Sequence, residues 1–392
     1  MLASEQSRII VVSVLVILVW ICHFPYGRAS VVEKEVSLDA ALSACRYVQF
    51  SLTDLVRQLQ GQAFGALGLD PVETPYRIIS SGSFWRVRDY SELNPGQPLL
   101  VVAAPIKRPY IWDLTPSTSA IRNLLVKGFR VRMLEWLPAS QATSMNGLDE
   151  YVDAISECAA NMSRESGGVK PLVAGHSLGG TLAALFAALR SEVIQGLVLL
   201  SAPLCFQSET SRFRDALVDL VPSGLVAAGP FPGSLLSHMS AMASPDTFIW
   251  SRLMNAATST TDNHALEIHA RVERWALDEV PLSGKLVHEI MEWLYREDRF
   301  FRGDMTIGGK RIGPLTISAP SLAVVDTADE IAPTGAVKPF IDAMRGERGR
   351  IIEFPGESGV PLQHLAILIG RKARELVWPE IISWMKDTAQ RH

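Results

Sequence analysis

Cysteine is scarce: four residues in 392 (Cys22, Cys45, Cys158, Cys205), none in a C-x-x-C pair. Structural metal sites and disulfide frameworks draw on closely spaced cysteines, so this spacing argues against zinc and against a disulfide scaffold. Strong net charge is also lacking. The formal balance is −4, with arginines and lysines scattered rather than clustered, which leaves no electrostatic basis for binding nucleic acid. There is no internal repeat, no low-complexity tract, no Walker loop and no G-x-G-x-x-G. His288-Glu289 lacks the second histidine of H-E-x-x-H, so it is not a zincin helix. Long apolar runs are represented by one segment, Ile9–Cys22 (IIVVSVLVILVWIC), preceded by Arg8. At about 14 residues it is short of the roughly 20 that span a bilayer, and it matches the core of a secretory signal. Gly27 and Ala29 form a weak small-x-small site before Ser30. Residues 1–29 therefore read as a signal or membrane-anchor segment, of an exported or membrane-anchored protein; a cytoplasmic protein with a buried N-terminal segment is the alternative.

What is present suits a globular enzyme. Hydrophobic residues make up 48% and charged residues 20%, enough for a sizeable core. Residues 30–74 read as an N-terminal amphipathic helical segment, with Leu38, Leu42, Val48, Leu52 and Leu55 near helical spacing. Beyond it, short apolar runs alternate with helical stretches. Strands are expected at Phe84–Val87, Leu99–Ala104, Arg130–Trp136, Pro171–Gly175, Gly196–Ser201, Ser321–Asp326 and Arg350–Phe354. Helices are expected at Ser117–Lys127, Leu148–Ser163, Leu178–Arg190, Gly335–Met344 and Lys372–Thr388. Such alternation predicts a mostly parallel sheet covered by helices, built from 75–202 and 316–392. The alternation breaks over 203–315, a stretch rich in helix formers and aromatics (Trp250, Trp275, Trp293, Tyr295) and too long for a loop. It reads as a helical cap inserted over the carboxyl edge of the sheet, where such folds bind ligands.

The chemistry concentrates in LVAGHSLGGTLAALFAAL. An apolar strand runs into Gly175-His176-Ser177-Leu178-Gly179 and straight into an Ala/Leu-rich helix. That context is the nucleophile elbow of the α/β-hydrolase fold, in which a serine sits on a sharp turn that bulky neighbours would block. A serine hydroxyl needs an adjacent base oriented by an acid. The order in this fold is serine, acid, histidine. Only His364 and the terminal His392 follow the candidate acids, so His364 is the base. The loop after Ser321–Val325 offers Asp326, Asp329 and Glu330; Asp326 continues the strand, and Asp329, on the turn closed by Ile331-Ala332-Pro333, is preferred. The oxyanion hole is assigned to the amide of Leu178 and, since Pro105 has no N–H, to that of Ile106. Cys205 follows a strand without an elbow and reads as a small buried hydrophobe.

From about Thr74 to Asp387 the chain resembles the polyhydroxyalkanoate synthase family. The resemblance runs through PLLVVAAPIKRPYIWDLTPSTSAIRNLLVKGFRVRMLEWLP (Tyr110, Asp113-Leu114, Trp136), GLDEYVDAI and Gly179-Gly180-Thr181. It continues through Trp275 and Asp278 in RWALDEVPLSGKLVHEIMEWLY, Asp329 in GDMTIGGKRIGPLTISAPSLAVVDTADEIAP, and His364 in FPGESGVPLQHLAILIGRKARELVWPEIISWM. It implies acyl transfer from a 3-hydroxyacyl-CoA thioester by a soluble, granule-associated enzyme. Two features depart from it: family members carry cysteine where this chain has Ser177, and this chain has the apolar N-terminal run. A thiolate suits acyl transfer between thioesters, whereas a serine acyl-enzyme beside a histidine base suits transfer to water.

The sequence therefore reads as a serine hydrolase cleaving carboxylic esters, hydroxyacyl or lipophilic, through an acyl-serine. A synthase-like acyltransferase and a non-catalytic granule or membrane binding protein are the alternatives. The chemistry requires no metal and no organic cofactor. The expected partner is a small or oligomeric ester; association with a membrane or lipid granule and a homodimer are compatible with this reading.

Overall fold

The computed structural model describes residues 38–91, 96–224, 229–259, 262–346 and 348–390. The apolar run and the rest of segment 1–29 lie outside them. Among the described residues no helix is long and apolar enough to cross a membrane. The chain divides into two units, Met1–Cys45 and Arg46–His392, and the second carries the sheet, the cap and the site described below.

Eight strands form the central sheet: β1 (Arg77–Ser81), β2 (Trp85–Asp89), β3 (Gln97–Val102), β4 (Phe129–Trp136), β5 (Leu172–His176), β6 (Gly196–Leu200), β7 (Ser321–Asp326) and β8 (Gly349–Phe354). Their spatial order is β1-β2-β4-β3-β5-β6-β7-β8. β1 and β2 pair antiparallel and β2 runs antiparallel to β4; from β4 onward every pairing is parallel. The central strands are apolar on both faces, as a parallel sheet covered on both sides demands. In β3, Leu100 and Val102 pack to one face and Leu99 and Val101 to the other; in β5, Val173 opposes Leu172 and Ala174 in the same way. β1 is the strand the sequence does not announce. Its RIISS is an edge segment, mostly exposed, so no buried alternation marks it.

The two faces are covered by α2 (Ala120–Val126), α3 (Leu148–Glu165), α4 (Leu178–Arg190) and a C-terminal helix described below. The residues of α3 and α4 join Leu100 and Val173 in one core, and those of α2 join Leu99 and Leu172 in the other. α2 starts later than expected because Ser119 caps it, its hydroxyl accepting from the Arg122 amide at 2.8 Å. The helix expected over Gly335–Met344 is only Lys338–Asp342, opened by Pro339 in its first turn, where the missing N–H costs nothing.

Between β6 and β7 the chain builds α5 (Arg212–Leu220), α6 (Gly233–Ala243), α7 (Ser251–Ser259, continuing a wide turn over Asp246–Trp250) and α8 (Asn263–Leu277). After β8 it closes with α9 (Trp378–Gln390), which packs on the α2 side. The N-terminal helix, α1, spans Leu38–Ala66. Its Asp54 carboxylate accepts from the Gly233 and Ser234 amides at 3.2 and 2.7 Å, which caps α6 and places a negative charge at that helix's N-terminus.

Candidate active site

The elbow follows from glycine sterics. Ser177, between β5 and α4, has φ 55° and ψ −136°, a conformation costly for a residue with a Cβ and tolerated where surroundings enforce it. The surroundings are tight. A Cβ on Gly175 would lie 2.6 Å from the Gly180 Cα, one on Gly179 2.4 Å from the Val102 carbonyl oxygen, and one on Gly180 2.5 Å from the Ala202 methyl. Only glycine lets β3, β5, β6 and α4 converge so closely beneath the serine. The Ser177 amide donates to the Leu200 carbonyl at 3.0 Å and so fixes the turn to β6. Leu178 is the first residue of α4, where amides have no partner within the helix.

His364 stands in a short 3₁₀ turn after β8, and Asp329 on the turn after β7. The structure brings them together: the ring N–H of His364 at Nδ1 donates to Asp329 Oδ2 at 2.7 Å. Both are buried. The other Asp329 oxygen accepts from the amides of Ile331 at 2.8 Å and Ala332 at 3.2 Å, so the turn holds the carboxylate in position. His364 Nε2 is buried without a hydrogen-bond partner. It shares one cavity with Ser177 but is not hydrogen-bonded to it here, a looseness common in ligand-free sites. Asp326 ends β7; one oxygen accepts from Ala328 N at 2.8 Å and the other is buried without a partner. Burial, assisted by the neighbouring Asp329, raises its pKa to about 6, against the pull of His364. Glu330 turns away from His364 and accepts from Thr247 and Ser244 of the cap.

The loop after β3 carries Ile106, which lines the same cavity. This loop is held from both sides. Trp136 Nε1–H donates to the Ala103 carbonyl at 2.7 Å from the sheet. From α8, Trp275 Nε1–H donates to the Arg108 carbonyl at 2.8 Å, and the Tyr110 hydroxyl donates to Asp278 at 3.1 Å while accepting from Arg274 at 2.7 Å. The aromatic and acidic residues that carry the resemblance thus join the loop of Ile106 to the cap. The cavity holds about 400 Å³ and is walled largely by apolar side chains, among them Phe206, Phe213, Met239, Phe248 and Met291. Among the described residues no group of three His, Cys, Asp or Glu side chains could hold a metal ion.

Known proteins resemble the chain along most of its length. Residues 138–294 match the family model Hydrolase_4, described as serine aminopeptidase, S33. The poly(3-hydroxyalkanoate) polymerase subunit PhaC of Haloferax mediterranei is 25% identical over 81% of this chain and 65% of its own length. That of Allochromatium vinosum is 25% identical over 74% of this chain and 81% of its own. The chain thus spans just under two-thirds of the haloarchaeal subunit. A candidate lipase from Sulfolobus solfataricus superposes with a TM-score of 0.51 at 16% identity, over 80% of this chain and 99% of that one. The chain has the α/β-hydrolase fold and is similar to poly(3-hydroxyalkanoate) polymerase subunits.

This α/β-hydrolase carries two features at its site that sequence reasoning passes over. His176, read as one letter of the elbow, points its Nε2 at the His364 carbonyl, 2.7 Å away, with the two rings 4.8 Å apart. Its place beside the serine was the available signal. The second is a buried charge cluster at the cavity wall. Glu279 accepts from Arg57 Nε at 2.7 Å and from Lys107 Nζ at 3.3 Å, and Lys107 also donates to the Ala276 carbonyl at 2.6 Å. Burial pulls the Lys107 ammonium down to about 8 against the attraction of Glu279. The three residues lie far apart in sequence, so no spacing could have revealed the cluster. Of the cysteines, Cys158 and Cys205 are buried and unpaired, and burial raises both thiols, which suits packing rather than nucleophilic chemistry.

Proposed function

We propose that the protein is a serine hydrolase that cleaves lipophilic or hydroxyacyl carboxylic esters through an acyl-Ser177 intermediate. The observation that supports the reading is that one apolar cavity is lined by both Ser177 and His364, the latter bonded to Asp329 behind it. Ser177 Oγ attacks the ester carbonyl as His364 Nε2 accepts its proton. Asp329 holds the imidazole through Nδ1–H and favours the imidazolium that forms. The amides of Leu178 and Ile106 receive the oxyanion. His364 then protonates the leaving alcohol; in the second half it takes a proton from the water that attacks the acyl carbonyl and returns that proton to Ser177 Oγ as the C–Oγ bond breaks and the acid departs. The apolar cavity wall suits an acyl chain better than a polar substrate. The names of the relatives favour a second reading, transfer of the acyl group from a 3-hydroxyacyl-CoA to a growing ester. An oxygen ester beside a base able to activate water supports hydrolysis over that reading.

A fluorophosphonate probe and a panel of p-nitrophenyl esters, run beside a 3-hydroxyacyl-CoA release assay, test it. The wild type is expected to be labelled and to hydrolyse short-chain esters, and Ser177→Ala to lose both while remaining folded, a loss of several orders of magnitude. Polymer formation by the wild type with little free acid would replace the hydrolase reading with the synthase one, and labelling retained at another serine would remove Ser177.

A further inference from the structure

The N-terminal helix is inside out. Between Tyr47 and Leu69 it carries two charged residues, Asp54 and Arg57, and both turn inward, Asp54 onto the start of α6 and Arg57 onto Glu279. Its apolar stripe, Val48, Leu52, Leu55, Val56 and Leu59, faces outward, each residue 49% to 55% exposed. A surface helix of a water-soluble domain shows the reverse arrangement. A second apolar outcrop lies on the cap rod Asp246–Ser259, where Ile249, Trp250, Leu253 and Met254 are 43% to 66% exposed.

These two elements border one groove. A cavity of about 510 Å³ is lined by Phe64 of the N-terminal helix, by Phe248, Ile249, Leu253 and Ala256 of the rod, and by α8. It shares Phe248, Ile249 and Arg252 with the cavity that holds Ser177. The groove therefore adjoins the cavity that holds Ser177 and is bordered by two elements with outward apolar residues.

We infer that this face, the outward stripe of the N-terminal helix together with Ile249, Trp250, Leu253 and Met254, lies on a phospholipid bilayer, and that the groove between them admits a lipophilic ester to Ser177. The second clause rests on the ester-hydrolase reading; the first does not. A bilayer fits better than a second copy of the chain. A helix–helix seam draws its register from charged flanking residues, and the stripe is flanked by Gln49, Ser51, Gln58 and Gln60. A second copy seated there would also cover the groove. The rod presents a tryptophan, a residue that settles at the level of lipid headgroups. The sequence preceding the helix is of the same character: the apolar run Ile9–Cys22 lies 15 residues before Leu38 and has the composition of a membrane-directed segment.

The test uses the full-length chain with Cys22 and Cys45 replaced by serine and an environment-sensitive fluorophore on Leu55→Cys or Met254→Cys. Both labels are expected to shift to the blue on vesicles of phosphatidylcholine and phosphatidylglycerol and to be quenched by lipids spin-labelled near the headgroup. A label on Val126→Cys, exposed at the end of α2, is expected to stay in water. In the kinetic arm, Leu52→Gln/Leu55→Gln/Leu59→Gln should lower hydrolysis of a long-chain ester held in vesicles at least tenfold and change that of soluble p-nitrophenyl butyrate less than twofold. Vesicle-bound protein whose two labels remain in water would overturn the docking surface, as would labels already shielded before lipid is added. An equal loss on both substrates would overturn the entry route. Lipid-embedded labels on a protein that cleaves no ester would uphold the docking surface and sink only the hydrolase reading.

Discussion

The imidazole of His176 braces the backbone of His364: its Nε2–H donates to the His364 carbonyl at 2.7 Å. Burial, with the nearby His364 ring, lowers the His176 pKa to about 3, so the ring stays neutral and its one N–H is committed to that carbonyl. His176, which also lines the cavity, therefore fixes the backbone that carries the His364 ring. His176→Phe keeps the ring and removes the donor. It is expected to lower kcat about tenfold or more with little change in KM, while His176→Gln, which restores an N–H, recovers part of the loss. A rise in KM alone, or no rescue by glutamine, would assign His176 to packing.

Gly179→Ala places a methyl 2.4 Å from the Val102 carbonyl oxygen and 2.8 Å from the Ala103 carbonyl carbon. Backbone cannot yield as a side-chain tip does, so α4 must move away from β3 and carry the elbow with it. Esterase activity should fall by at least about a hundredfold, with fluorophosphonate labelling slowed in proportion. Activity close to wild type would show that the elbow is more pliant than these distances allow.

Asp326 makes stability depend on pH with a defined sign. Its ordinary pKa of 3.8 is raised to about 6 in the folded state, so between these values the folded protein binds the proton more tightly than the unfolded chain. The stabilisation is whole below about pH 4 and is lost as pH rises through 6. Asp326→Asn cannot ionise and should be more stable than wild type above pH 6, by on the order of 2 kcal/mol, with the gain gone near pH 4. Thermal melts at pH 4 and pH 8 check this; a larger gain at the acid end would reverse the assignment.

Glu279 sits between Arg57 and Lys107 with its side chain 1% exposed. Burial works to raise its pKa, but the two cations outweigh it and the carboxyl ends below its ordinary value. Glu279→Gln leaves both cations unneutralised at the cavity wall. It should cost about 3 kcal/mol, more than Lys107→Met, after which the Arg57–Glu279 bond remains. Urea unfolding of the two variants gives the comparison.

The parts of this molecule that could be read in advance are those whose cause is local. β3, β5, β6 and β7 announce themselves because both faces of each strand are buried and their sequences are continuously apolar. The elbow is legible because three glycines and a serine must sit together for the turn to close. Asp329 and His364 follow from chain order, and the structure sets them 2.7 Å apart although 35 residues separate them. The edge strand β1 escaped because one partner and mostly exposed side chains leave no pattern. Spacing identified the N-terminal helix, but periodicity says only that a stripe exists. The inward bonds of Asp54 and Arg57 decide which way it faces, and their partners are nearly 200 residues away or more.

The cap grips the candidate site at two separate points. On one flank Trp275 and Asp278 hold the loop that carries Ile106. On the other, Ser211 donates to the Glu330 carbonyl at 2.9 Å and Thr247 to the Glu330 carboxylate, one residue beyond Asp329. A cap that swung upward as a rigid lid would drag the loop of Ile106 and the turn of Asp329 in the same stroke. By these bonds it is a keystone rather than a door: it cannot be lifted without disturbing both sides of the cavity.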